Sequence, residues 1–162
     1  MSEETNKLRS LEALNADEVD YSTLTEEALA ALAQGDEPYL ATSALFELAH
    51  RSSPRSQEVA RALLTATDDE YLRAAALRVL FEKDRGAAID YMDKVVADCH
   101  PYVLSAMIEL MIEEQAAFGA HPNLVQSIAG RFERDPSIEV DEDRRQLFFE
   151  IFAPIGSRYR SK

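Results

Sequence analysis

The sequence predicts an all-α fold, a solenoid of about four helix pairs, and three observations carry that expectation. Glycine and proline are scarce, 5 and 6 in 162 residues, and the prolines fall between apolar runs or at their first turns, as helices joined by short connections require. Apolar residues recur at spacings of three and four, and no long alternation of β-branched residues suggests a sheet. Finally, one segment returns in near-copy as "DEPYLATSALFEL", "DDEYLRAAALRVL" and "CHPYVLSAMIELM", with Tyr39, Tyr71 and Tyr102 at intervals of 32 and 31 residues, inside the range of helical arrays.

Taken in order, residues 1–22 form an acidic leader in which Leu8, Leu11 and Leu14 give a short amphipathic piece, either a cap helix or a frayed terminus. Helices follow over 25–33, 38–50, 54–66, 70–82, 86–98, 101–115, 122–133 and 141–153. Their apolar stripes run through Leu29/Leu32, Val59/Leu63, Ile89/Met92/Val96, Val125/Ile128/Phe132 and Leu147/Ile151. Each helix is too short to stand alone in water, so stability must come from packing neighbours together. Residues 23–153 thus make one helical repeat domain, and 154–162, with "GSRYRSK", a basic tail read as disordered.

In the three copies each Tyr is followed by Leu40, Leu72 or Val103, six residues on by Leu45, Leu77 or Ile108, and nine on by Leu48, Leu80 or Met111. Small or slim residues lie between: Ser43/Ala44, Ala75/Ala76 and Ala106/Met107. Alanine in mid-helix lets two backbones approach, while leucine at either end fills the space between pairs. The pattern resembles the HEAT repeat, whose second helix opens with Asp, then an aliphatic residue often followed by Arg, then Ala and Leu. Asp69, Leu72, Arg73, Ala76, Leu77 and Leu80 fit best; Ala41 and Leu104 stand where Arg73 does, His100 replaces the Asp in the third copy, and "DPSIEVDEDRRQLFFEIF" is only a partial fourth. The resemblance covers about residues 25–153 and implies a right-handed α-solenoid with atypical end units as caps. A tetratricopeptide array is second choice, because its Trp, Leu-Gly and Tyr signature is missing.

Charge narrows the function. With 30 acidic against 17 basic side chains, formal net −13, the chain repels phosphate backbones and disfavours nucleic acid. It favours a basic protein partner, because opposite fields speed encounter. A single cysteine, Cys99, rules out an internal disulfide and suits a reducing compartment. The acidic start is unlike a secretory signal and no apolar stretch reaches transmembrane length, so the expectation is a cytoplasmic protein without membrane contact.

Catalytic chemistry is not written in the sequence. Asp36/Glu37, Asp68/Asp69/Glu70 and Asp141/Glu142/Asp143 resemble carboxylate pairs, but each falls at a helix start, where capping explains it. His50, His100 and His121 lack the spacing to join Cys99 around a metal, and no phosphate loop or nucleophile motif occurs. The expectation is no enzyme, no catalytic residues, no cofactor and no metal. Candidate partner-binding residues are Phe46, an aromatic anchor off the buried stripe, Glu47, Glu109, Glu113 and Glu114 on polar faces, Arg73 and Arg78 as a basic band in the middle copy, and Asp141, Glu142 and Asp143.

Small acidic helical proteins of this kind look like bacterial immunity proteins or antitoxins, including those of contact-dependent growth inhibition, which cover the active sites of basic nuclease toxins. That likeness implies a protein-binding toxin inhibitor acting through an acidic surface. An adaptor, scaffold or secretion chaperone is the alternative in the same class. A HEAT-like lyase and a HEAT-like DNA glycosylase are the enzyme alternatives, the latter disfavoured by net −13 and the lack of Trp.

Overall fold

The computed structural model describes residues 10, 11 and 14–157. Among them regular structure is entirely helical: α1 (Glu26–Ala33), α2 (Pro38–His50), α3 (Pro54–Ala66), α4 (Glu70–Lys83), α5 (Arg85–Val95), α6 (Pro101–Glu113), α7 (Gln115–Phe118), α8 (Pro122–Arg134) and α9 (Glu142–Ser157), preceded by two 3₁₀ turns, Ala16–Glu18 and Tyr21–Thr23. The chain divides into two compact units, Met1–Asp84 and Arg85–Lys162. Leu8 and residues 158–162 of the basic tail lie outside the described residues.

In the first unit, helix starts are fixed by capping. Thr25 accepts from Ala28 N–H, Glu37 from Leu40 N–H at 2.7 Å and Asp69 from Leu72 N–H at 2.7 Å, each satisfying a donor that the first turn leaves open. Pro38 and Pro54 occupy first helical positions, where their missing N–H costs nothing. α1 packs on α2, α3 on α4, and α2 on both α3 and α4. Between α2 and α4 the repeat positions are interior: Leu40, Leu45, Leu48, Leu72, Leu77 and Leu80 are all buried, as are Ala41, Ala44 and Ala76. Burying one leucine contributes about 1.5–3 kcal/mol, so this ladder outweighs any single surface term.

Arg51 and Lys83 tie distant carbonyls of this unit together. Arg51 donates from Nη1 to Leu24 O (2.7 Å) and from Nη2 to Tyr21 O (2.8 Å), while its Nε meets Glu47 Oε1 at 2.7 Å. The latter part of the acidic leader, with Val19 buried, is thereby held against α2. Lys83 Nζ donates to Ala49 O at the C-terminal end of α2, where the helix dipole favours a positive group. Past that end, Ser52 N–H bonds Ala49 O and Ser53 N–H bonds Leu48 O, a Schellman closure with Ser52 at φ 56° where glycine is usual.

The second unit uses the same devices with different residues. His100 caps α6, its Nδ1 accepting from Tyr102 N–H, and Pro101 and Pro122 open α6 and α8. Val103, Ile108 and Met111 are fully buried, as are the corresponding leucines of the first unit's copies or nearly so. α9 packs on α8 and α6. Its Phe148 meets Phe132 edge-on at 5.4 Å between centroids, Phe149 lies parallel to Phe132, and Arg145 sits 4.4 Å above the Phe132 ring while donating to Phe132 O.

Most helix limits agree with the periodicity; three differ for local reasons. α5 stops at Val95, whose carbonyl accepts from both Asp98 and Cys99 N–H groups and closes the turn early. The helix expected over 101–115 breaks at Glu114 (φ −123°, ψ 44°) and resumes as α7. α9 continues to Ser157, so 154–157, assigned to the tail from sequence, are helical.

Candidate protein-binding surfaces

On the first unit, the outer line of α2 and α4 carries aromatic rings. Tyr39 is 65% exposed and Tyr71 45%, with ring centroids 5.9 Å apart and planes tilted by 48°. Phe46, 43% exposed, stands seven residues beyond Tyr39, two helical turns along the same line. It therefore lies off the buried stripe, in the position expected of it. Glu47 is half-buried and paired with Arg51 rather than projecting freely. Arg73 is turned back onto its own helix start, with Nη1 donating to Glu70 Oε1 at 2.8 Å and Nη2 to Thr67 O. Arg78, two turns after Tyr71, is half-buried.

At the helix starts of this unit opens a cleft of about 430 Å³, lined by Pro38, Leu63, Ala66 and Leu72 together with Asp36, Asp68 and Asp69. Asp69 is occupied in capping Leu72, whereas Asp36 and Asp68 are exposed and make no ion pair among the described residues. Tyr21, on the leader turn, has its phenol pushed up chiefly by burial, with a smaller lowering by Ser43 and further raising by the Glu37 and Asp17 charges.

On the second unit the acids divide into two groups. Glu109 and Glu113 share Arg144: Nη2 lies 2.5 Å from Glu109 Oε2, a charge contact off the hydrogen-bonding line, and 3.5 Å from Glu113 Oε1. Glu114 meets Arg85 at 2.9 Å. These three therefore carry less outward field than their number suggests. Asp141, Glu142 and Asp143 are all exposed at the start of α9, where Asp141 O accepts from Arg145 N–H. Tyr102 is 50% exposed and stacks on His100 at 6.4 Å. A second cleft of about 290 Å³ is lined by both rings, Pro101, Ser105, Ser137 and Glu139. The Asp135 carboxyl is held below its usual range first by the Ser137 hydroxyl and N–H and then by Arg131.

Cations are largely consumed inside each unit. In the first, Arg51, Arg55, Arg61, Arg73 and Lys83 bind carboxylates or carbonyls of the same unit; in the second, Arg85, Arg131, Arg144 and Arg145 do. Arg131 Nη1 donates to Val96 O and Cys99 O, both at 2.9 Å, and touches Cys99 Sγ at 3.3 Å, leaving the thiol half-buried beneath a guanidinium. His50 is exposed, and His121 precedes α8 without a side-chain capping bond. No group of His, Cys, Asp and Glu among the described residues is placed to hold a metal ion, and no described helix is long and apolar enough to cross a membrane.

The exposed tyrosines were missed by sequence reasoning, which used them only to set the repeat register. The available signal was the line itself: residues 39, 43 and 46 follow i, i+4, i+7, a line separate from Leu40, Ala44 and Leu48. Comparison with protein-family models, curated proteins and solved structures finds no match for this chain.

Proposed function

We propose that this protein is a non-enzymatic binding module for a basic protein, and that the helix pairs continue one another as a right-handed HEAT-like solenoid. The observation that carries the binding reading is where the charges go. The 17 basic side chains are outnumbered by 30 acidic ones, and nine of the basic ones are bound to carbonyls or carboxylates of their own unit. The field left for a partner is negative, and Asp36, Asp68 and Asp141–Asp143 are among the acids that stand exposed. Such a field attracts a cationic protein and accelerates its association.

Within that class, the reading we favour is an immunity protein or antitoxin that neutralises a basic nuclease, its carboxylates taking the places of substrate phosphates. The chain's size and acidity support it. An adaptor, scaffold or secretion chaperone is the second reading, supported by the exposed aromatics of α2 and α4, which suit an apolar partner equally well. A lyase or glycosylase has no supporting observation.

The test is affinity capture on the immobilised full chain at low salt, elution with a salt gradient, and a nuclease assay on each eluted protein with and without the chain. A basic nuclease that elutes early in salt and loses activity on stoichiometric mixing establishes the reading. Retention of neutral or acidic proteins through high salt overturns it in favour of a scaffold. Small-angle scattering tests the shape: an elongated, curved particle agrees with a solenoid and a sphere does not.

A further inference from the structure

The three repeat copies do not cap their helices with the same chemistry. In the first unit Glu37 and Asp69 accept from Leu40 N–H and Leu72 N–H, and a carboxylate keeps its acceptors down to about pH 4. At the corresponding place in the third copy stands His100, whose Nδ1 accepts from Tyr102 N–H at 3.2 Å. Only an imidazole with no proton on Nδ1 can do this, so the cap exists for the neutral ring alone. Pro101 has no N–H, which makes Tyr102 N–H the first donor of α6 in need of a partner. The His100 ring stacks on the Tyr102 ring, their planes 26° apart, and Glu139 lines the same cleft.

We infer that protonation of His100 switches α6 from a capped to an uncapped start and turns the imidazolium toward Glu139. This device goes beyond the basic-partner reading and does not depend on it. At the cap a protonated Nδ1 sets one N–H against another, and a cation at a helix N-terminus meets the positive end of the dipole. The Glu139 carboxylate, on the same cleft, offers that cation an acceptor. The other charges nearby are Arg131, which binds the Cys99 carbonyl and pairs with Asp135, and Asp135 itself, held further by Ser137. Cys99 and Tyr102 complete the titratable neighbours. The direction follows from the proton count: the capped state carries no proton on Nδ1 and the uncapped state takes one. The cap is therefore present above the ordinary histidine range, near pH 6.5, and lost below it. Leu104 N–H bonds His100 O, and Val103 and Leu104 are fully buried, so release of this first turn reaches the edge of the second unit's interior.

The experiment follows imidazole nitrogen and backbone amide resonances of the full chain by NMR from about pH 8 to about pH 5, a range that brackets histidine titration. At the upper end His100 should carry its proton on Nε2 alone. As it takes a second proton, the Tyr102 amide should move with the same midpoint and its ring signals should move with it. Protection of the Tyr102 and Leu104 amides, corrected for the intrinsic effect of pH on exchange, should fall about fivefold or more, as loss of a cap implies. His100→Asn supplies an acceptor that does not titrate, and should hold both amides steady across the range. Glu139→Gln should leave the release of Tyr102 in place and remove the contact between the protonated ring and residue 139. A His100 ring already protonated on Nδ1 at the upper end overturns the inference, as does a Tyr102 amide that ignores the His100 titration. The same loss of protection in His100→Asn also overturns it and assigns the loss to the carboxylates. Co-titration of ring and amide in the wild type keeps the test decisive even if the asparagine variant folds poorly.

Discussion

Ser52→Gly should make the first unit more stable. Ser52 holds φ 56° at the Schellman closure of α2, its N–H and that of Ser53 bonded back to Ala49 O and Leu48 O. An L-residue in the left-handed region carries a cost of roughly 1–2 kcal/mol, and glycine escapes it. Glycine also has more freedom to lose on folding, which returns about 0.5–1 kcal/mol of that gain. Ser52 is exposed, so little packing changes, and the net expectation is about 0.5–1 kcal/mol of added stability. With a urea m-value on the order of 2 kcal/mol/M, the midpoint moves up by about 0.3–0.5 M with the slope unchanged. Hydrogen exchange resolved to the α2–α3 segment assigns the gain to this unit. Ser52→Val, β-branched and therefore ill-suited to positive φ, should move the midpoint the other way. A glycine variant that is no more stable, together with a neutral valine variant, would refute a left-handed cap at this position.

Arg131→Met removes charge-assisted bonds to Val96 O and Cys99 O; a loss of about 2–3 kcal/mol and a several-fold faster reaction of Cys99 with a thiol reagent are expected. Phe132→Ala opens the aromatic cluster of the second unit, and thermal unfolding should report a loss of about 3–5 kcal/mol. Tyr21, whose pKa is raised chiefly by burial, contributes stability that is fully present below the unfolded value near 10 and lost as pH rises through the higher folded value. Tyr21→Phe should therefore blunt the alkaline fall seen by circular dichroism. Asp135, whose pKa is lowered, has the opposite sign: its contribution is present above the unfolded carboxylate value and lost as pH falls through the folded one. Ser137→Ala should shift the Asp135 titration upward by NMR. Reversing Glu109 to Lys places a cation beside Arg144 and should cost stability as well as any binding, whereas Asp141→Asn/Asp143→Asn should slow association with a basic partner and leave the midpoint nearly unchanged.

Helix positions were legible because capping, proline placement and apolar spacing all act within a few residues. Thr25, Pro38, Pro54 and Asp69 mark their helix starts without reference to the rest of the chain. The interior ladder was legible for a second reason, that repetition tests each position three times. Exposure of Phe46 followed from its angle on the helix. Arg73 and Glu109 were not legible as paired groups, because their partners are decided by side-chain reach: Arg73 folds onto the Thr67 carbonyl, and Glu109 meets an arginine 35 residues away. A formal charge is countable in a sequence, but whether it faces water or a neighbour is a property of packing. The break at Glu114 likewise has no glycine or proline to announce it.

The way α1 to α4 lean on near neighbours bears on how the chain reaches its native state. Each contact between these helices joins segments close in sequence, so closing it confines only a short length of chain, and the entropic barrier stays low. Such a topology folds quickly, on the microsecond to millisecond scale typical of helical proteins with local contacts. A nascent chain of this kind can complete the α2–α4 ladder once Lys83 has emerged, before the residues of α9 exist, which shortens the time during which its leucines are open to aggregation.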